Sequence, residues 1–396
     1  MAFSDENNAS EATIVKRSSP LFLCGLLLLS STFQANAELP PEKLTVAEMA
    51  PATPHRLYLT DLALGHAIDG RIHVIDGDNF NYLGLISTGL FGLNTLSRDS
   101  SEMYVATTYY EKRNRGRRFD QFEVYDTKTL NLLAEVEIPA KHAQALPYKG
   151  TIASGSDGRF VFIQNATPAS SITIVDRPAM RFAAEIETPG CWIILPAASN
   201  AQRFSTLCGD GTILTITLDD KGNAKTQNRS PKLFDAEKDP LFVQADHLGD
   251  SYYFVSYDGN LKQINLGGDT ATLEAEWSLV DDTDKAAQWK PGGYQLTAID
   301  PQSNRLYVGM HEGARNGSHK WPAKEIWTFD LSSKKRIGRA PGSNAIALVL
   351  TKEKKPLLYA YDGMTAEFVR YDTLPVLTPG QRSAPFGEFA ALIETH

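Results

Sequence analysis

The run Ile72-His73-Val74-Ile75-Asp76 (IHVID), alternating apolar residues closed by an aspartate, returns as Phe122 to Asp126 (FEVYD), Ile172 to Asp176 (ITIVD), Ile213 to Asp219 (ILTITLD), Ile326 to Asp330 (IWTFD) and Phe368 to Asp372 (FVRYD). Leu261 to Leu266 (LKQINL) keeps the strand and lacks the aspartate. Each copy has a partner strand upstream: RLYLTD from Arg56, MYVATTYY from Met103, RFVFIQN from Arg159, RFSTLCGDG from Arg203, SYYFVSYDG from Ser251, RLYVGMHEG from Arg305 and LLYAYDG from Leu357. Runs rich in Val, Ile, Tyr and Phe that alternate with polar residues predict half-buried strands, and Asp, Gly and Asn between them predict tight hairpins. The terminal aspartate caps its turn through a side-chain oxygen. Self-similarity at a period of about fifty residues is the mark of a blade-by-blade architecture. The fold expected is therefore all-β, a seven-bladed β-propeller of four-stranded blades.

Composition supports one large packed domain. The chain is 42% hydrophobic and 22% charged, enough apolar residues for a core and too few charges for a disordered chain. A formal net charge of −8 argues against nucleic acid as a partner. Lys16-Arg17, the apolar run Leu21 to Leu29 and Ala35-Asn36-Ala37 follow the pattern of a secretory signal peptide. The run is too short for a stable membrane span. The expected division is a leader over residues 1–37 and a single propeller domain over 38–396, exported and without membrane insertion after cleavage. Cys24 is lost with the leader. Cys191 and Cys208 remain, and an even pair in an exported chain predicts one disulfide. A metal-binding or redox-active pair is the alternative, without a further Cys or a CxxC motif in its favour.

The chain carries little chemistry of its own. Its eight histidines show no HExxH and no carboxylate cluster at metal-ligand spacing, and GxSxG, GxxxxGK[ST] and GxGxxG are absent. No catalytic residue and no metal ligand is assigned. Several segments exceed the needs of a hairpin. Lys112, Arg113, Arg115, Arg117 and Arg118 form a basic stretch suited to docking an acidic partner, or a solvated loop. Gln164 to Ser171 reads as an enlarged loop, Asp281 to Lys290 as a short inserted helix ahead of Pro291-Gly292-Gly293, and His311 to Ile326 as a long excursion.

These segments also carry a resemblance. QNATPASSITIVD (Gln164 to Asp176), GCW (Gly190 to Trp192), CGDG (Cys208 to Gly211), DPLF (Asp239 to Phe242), WKPGGYQL (Trp289 to Leu296) and GSHKWPAKEIW (Gly317 to Trp327) resemble, in order, the heavy subunit of the quinoprotein amine dehydrogenases. That family includes methylamine and aromatic amine dehydrogenases, and the first three motifs are closer to the aromatic branch. The resemblance implies a periplasmic heterotetramer of two heavy and two light chains that oxidises primary amines to aldehyde and ammonia. It implies no cofactor in this chain: tryptophan tryptophylquinone and the catalytic base belong to the small, disulfide-rich light chain. Electrons would pass to a blue copper protein of the azurin or amicyanin type. By the same resemblance Phe91, in Thr88-Gly89-Leu90-Phe91-Gly92-Leu93-Asn94, shapes substrate access at the light-chain active site, with Asn94 shaping the same loop. The other reading of Phe91 is packing between blades. Two other functions stay open, a stand-alone binding propeller and a propeller enzyme with a cofactor in its channel. Closure of the ring is expected from a terminal strand, either Gly387 to Ile393 or the segment after Glu38.

Overall fold

A computed structural model describes residues 49–396, and the expected leader lies outside the described residues. The described chain is antiparallel sheet almost throughout, with one short α-helix at Asp282–Ala286. The helix starts on a capping box: the Asp281 side chain accepts from the Asp284 amide, and the Asp284 side chain accepts from the Asp281 amide.

Three sheets have four strands each. The two larger sheets are built from the same unit by sharing a strand. Tyr82–Leu96 pairs with Gly70–Asp76 along its first half and with Glu102–Tyr110 along its second, changing partner around Phe91. Lys335–Leu350 does the same between Ala323–Asp330 and Leu357–Asp362. These antiparallel four-strand groups are consistent with a β-propeller. Every repeat found in the sequence is the third strand of such a group, and its upstream partner is the second.

Five of the six repeat aspartates cap their turns as expected, and the Asp372 side chain accepts no amide among the described residues. Asp76 Oδ1 accepts from the Asp78 amide at 2.9 Å, Asp126 Oδ1 from the Lys128 and Thr129 amides at 2.7 and 2.8 Å, and Asp330 Oδ1 from the Ser333 amide at 2.7 Å. In these turns the fourth residue after the aspartate has a positive φ: Phe80 at 58°, Leu130 at 60° and Lys334 at 57°. Such a backbone is costly for a non-glycine residue, and the cap is part of what holds it.

Burial departs from the expected alternation. Arg56–Asp61, Phe160–Asn165 and Ser171–Asp176 are buried at every residue. Each sheet is covered on both faces by its neighbours, so its middle strands have no wet face. Only outer strands such as Leu132–Ile138 alternate. The core is accordingly a series of seams between consecutive groups. In one of them Phe162 meets Phe204 with ring centroids 4.7 Å apart.

The C-terminal strand joins the first described strand. Ala390–Thr395 pairs antiparallel with Arg56–Asp61, and the His396 amide donates to the Arg56 carbonyl at 3.0 Å. The C-terminal strand thus heads the group that holds the first described strand, as the terminal-strand expectation required. A cavity of about 470 Å³ is lined by residues 94–98, 152–154, 194–196, 245–247, 298–299, 349–350 and 392–395, so the first strand of every group reaches it. Polar side chains tie these strands together across groups. Gln295 Nε2 donates to the Leu348 and Ile393 carbonyls at 2.9 and 3.0 Å, and its Oε1 accepts from the Ile393 amide at 2.9 Å.

Candidate functional site

In an antiparallel group of four strands, the connection between second and third strands and the connection leaving the group emerge at one end. The other two connections emerge at the opposite end. The capped aspartate turns occupy one end of the molecule. The long connections, residues 62–69, 111–117, 139–151, 166–170, 230–240, 279–296 and 312–322, occupy the other. Every segment singled out in the sequence as larger than a hairpin lies at this second end.

Tertiary structure sorts the six motifs into two clusters. DPLF, WKPGGYQL and GSHKWPAKEIW meet around a cavity of about 470 Å³ through Phe242, Tyr294, His319 and Lys320, with Tyr148 and Tyr257 beside them. QNATPASSI, GCW and CGDG form the other. Gln164 Oε1 accepts from the Ile193 amide at 3.1 Å, the Gly209 amide donates to the Gly190 carbonyl at 2.9 Å, and Cys191 is disulfide-bonded to Cys208. The two cysteines face each other directly in the strand register. The turn after Cys208 needs glycine: Gly211 has φ 87°, and a Cβ there would lie 2.1 Å from the Phe234 carbonyl oxygen. The enlarged loop is shorter than expected, because Gln164 and Asn165 are wholly buried at the end of a strand, leaving residues 166–170 as the connection.

Phe91 stands at the bulge where Tyr82–Leu96 changes partner. It is half-buried with φ 52°, and the register shifts between Leu90 and Leu93. A buried network holds this strained backbone. His142 Nε2 donates to the Phe91 carbonyl oxygen at 3.0 Å, while the His142 backbone amide donates to Asp120 Oδ2 at 2.9 Å. Arg118 forks onto Asp120 through Nε and Nη2 at 2.8 and 2.7 Å, and Thr108 Oγ1 donates to it at 2.7 Å. Burial acts to raise the Asp120 pKa, but hydrogen bonds from His142 and Arg118 outweigh it and hold the carboxyl down to about 2. Asp120 and His142 were not found by sequence reasoning. His142 lies 51 residues from Phe91 and 22 from Asp120, so no local pattern links them.

Beside Phe91 lies a groove of about 660 Å³, lined by His66, Ile68, Leu90, Tyr109, Tyr110 and Arg113 among others. Leu64 and Ile68 expose 43% and 39% of their surface close by, an apolar rim that water covers poorly. Asn94 does not share this surface. It is 2% exposed inside the strand, accepting from Thr60 Oγ1 at 2.6 Å and donating to Glu394 Oε2 at 3.2 Å. Three residues beyond Phe91 the strand has turned inward, so Asn94 ties two groups together.

The basic stretch also divides. Lys112, Arg113 and Arg115 are exposed and form no ion pair among the described residues. Arg117 pairs with Glu111 at 3.1 Å, and Arg118 is turned inward onto Asp120. Trp289 and Trp327 pack with ring centroids 5.2 Å apart, but both lie under the guanidinium of Arg339 and are at most 6% exposed, so neither offers a face to a substrate. Among the described residues no group of three or more His, Cys, Asp and Glu side chains is arranged to hold a metal ion.

Comparison with known proteins agrees with this geometry. The family model for the methylamine dehydrogenase heavy chain matches residues 53–374. The methylamine dehydrogenase heavy chain of Methylophilus methylotrophus is 26% identical over 381 residues, covering 91% of this chain and 93% of its own. That of Paracoccus versutus is 28% identical over 321 residues, 80% of this chain and 74% of its own. Among solved structures, the Kuenenia stuttgartiensis hydrazine synthase superposes with a TM-score of 0.55 at 12% identity, over 82% of this chain and 94% of that one. The dihydro-heme d1 dehydrogenase NirN does so with a TM-score of 0.54 at 14% identity, over 89% and 68%. At such identities these two structures speak for the fold alone.

Proposed function

This chain belongs to the methylamine dehydrogenase heavy chain family, and from that premise we propose that it is the heavy subunit of a periplasmic amine dehydrogenase, folded as one seven-bladed propeller behind a cleaved leader. The observation that carries the reading is the family match across residues 53–374, which takes in the groove beside Phe91 and the network that fixes its backbone.

The end bearing the long connections docks a light subunit, in a heterotetramer of two heavy and two light chains. That partner carries tryptophan tryptophylquinone, which supplies the electron sink for oxidation of a primary amine to aldehyde and ammonia. This chain contributes position and exclusion. His142 and Asp120 fix the Phe91 backbone beside the groove lined by Ile68, Leu90 and Tyr109, the entrance that substrate crosses. Lys112, Arg113 and Arg115 lie on the same end and present positive charge to an acidic surface, either the light chain or the blue copper acceptor. The QNATPASSI, GCW and CGDG motifs favour an aromatic amine as substrate.

Purification of the chain from the periplasmic fraction of its native host tests this reading. A small Cys-rich companion with visible absorbance bleached by tyramine or methylamine is the expected result, and the more effective amine names the branch. A colourless chain that elutes alone would replace the proposal with a stand-alone binding propeller.

A further inference from the structure

The proposed function makes no use of the cavity lined by the first strands. Arg98, Lys149, Lys352, Asp246, His247 and Glu394 line it, gathered from strands far apart in the chain. Its two carboxylates are already satisfied by the protein. Asp246 accepts from Lys149 Nζ at 2.9 Å and from Thr297 Oγ1 at 2.7 Å. Glu394 accepts from Thr95 Oγ1 at 3.1 Å and Asn94 Nδ2 at 3.2 Å, and burial raises its pKa against the opposing charge of Lys352. Asp99, beside Arg98, is taken up by Ser97 and Ser101.

Of the three cations Lys149 is paired with Asp246, whereas Lys352 and Arg98 are in no ion pair among the described residues. Lys352 Nζ donates to Ser100 Oγ at 3.3 Å. Arg98 donates to the Gly155 and Ser154 carbonyls at 3.2 and 3.5 Å, which leaves Nη1 without an acceptor among the described residues. Burial lowers the Lys352 pKa against the opposing charge of Glu394, the charge of Lys149 lowers it too, and both lysines line this concave space. An ammonium and a guanidinium each carry more N–H donors than these bonds use. Positive charge in a concave site, with spare donors and saturated carboxylates, attracts an acceptor-rich anion.

We propose that this cavity binds a small oxyanion, a phosphate or carboxylate group, held by Lys352, Lys149 and Arg98. Its volume of about 470 Å³ accommodates such a group with its water or a short organic substituent. The site depends on no partner subunit, and so stands or falls separately from the amine dehydrogenase reading.

The test is calorimetric titration of inorganic phosphate, and separately of acetate, into the purified full chain in the complex in which it is isolated, at ionic strength held constant with sodium chloride. Saturable binding at one site per chain is expected, weakened roughly tenfold or more in Lys352→Met, the loss expected for a charge-assisted hydrogen bond, and retained in Lys352→Arg. Preference for phosphate assigns a phosphoryl ligand, and preference for acetate a carboxylate. Should Lys352→Met not fold, as judged by its melting curve, Lys149→Met takes its place with the same expectation. Absence of saturable heat from either anion, or affinity unchanged in the folded Met variant, overturns the proposal.

Discussion

The two ends of this molecule are built by opposite means. At one end, short turns repeat with an aspartate that caps its own backbone a few residues on, as at Asp76, Asp126 and Asp330. At the other, the connections are long and irregular, and the contacts that hold them come from remote strands, as His142 holds Phe91. The first end is a property of each hairpin, and the second a property of the assembled sheets. Damage at the first end should therefore be small and local, whereas damage to the second should be large or should alter function without unfolding the chain.

The largest effect is expected where the sheets are joined. Deletion of residues 390–396 removes the strand paired with Arg56–Asp61 and an anchor of Gln295, so the product should be insoluble or melt without a cooperative transition. A truncated chain melting like the full one would end the claim that the assembly depends on this join. Next comes Asp120→Ala, which leaves the Arg118 and His142 donors without their buried acceptor. A loss of about 3–5 kcal/mol is expected in urea denaturation near neutral pH. The pH dependence follows from the sign of the shift. A carboxyl held down to about 2 in the folded chain contributes its stability fully above the unfolded value of about 4, and that contribution fades as pH falls toward 2. The variant should lack this part of the acid-side decline, and parallel decline in both proteins would argue against it.

A smaller effect is expected at the regular end. Asp126→Ala removes the acceptor for two turn amides and should cost about 1 kcal/mol, read as a shift in urea midpoint with unchanged slope. A cost like that of Asp120→Ala would erase the contrast between the ends. The least stability change belongs to Phe91→Ala, within about 1 kcal/mol for a half-buried side chain at a bulge. In the assembled enzyme it should nonetheless change the ratio of kcat/KM between an aromatic and a small aliphatic amine. An unchanged ratio across a panel of amines would remove Phe91 from substrate access.

Several readings of the sequence were limited by distance along the chain. Alternation in FVFIQN and SITIVD predicted one wet face, yet both strands are wholly buried, because a sheet stacked between two others has no solvent side. Asn94 looked like part of the Phe91 loop by proximity, and the bulge turns it inward to Thr60 and Glu394. Arg118 looked like one of five solvated charges, and strand pleating turns it onto Asp120. The disulfide between Cys191 and Cys208 was legible because only one even pair remained outside the expected leader. The short helix within Asp281 to Lys290 was legible because its acidic start and helical composition are local features.

By itself the sequence determined what depends on near neighbours: the strands, their capped turns, their repeat and the family to which their motifs belong. Tertiary structure alone decided which long connections share an end, which motifs line one cavity, how Phe91 is held, and that Lys149, Lys352 and Arg98 face one space. The physical reason is that strand pattern and turn capping act over a few residues, whereas sheet stacking joins side chains tens to hundreds of residues apart.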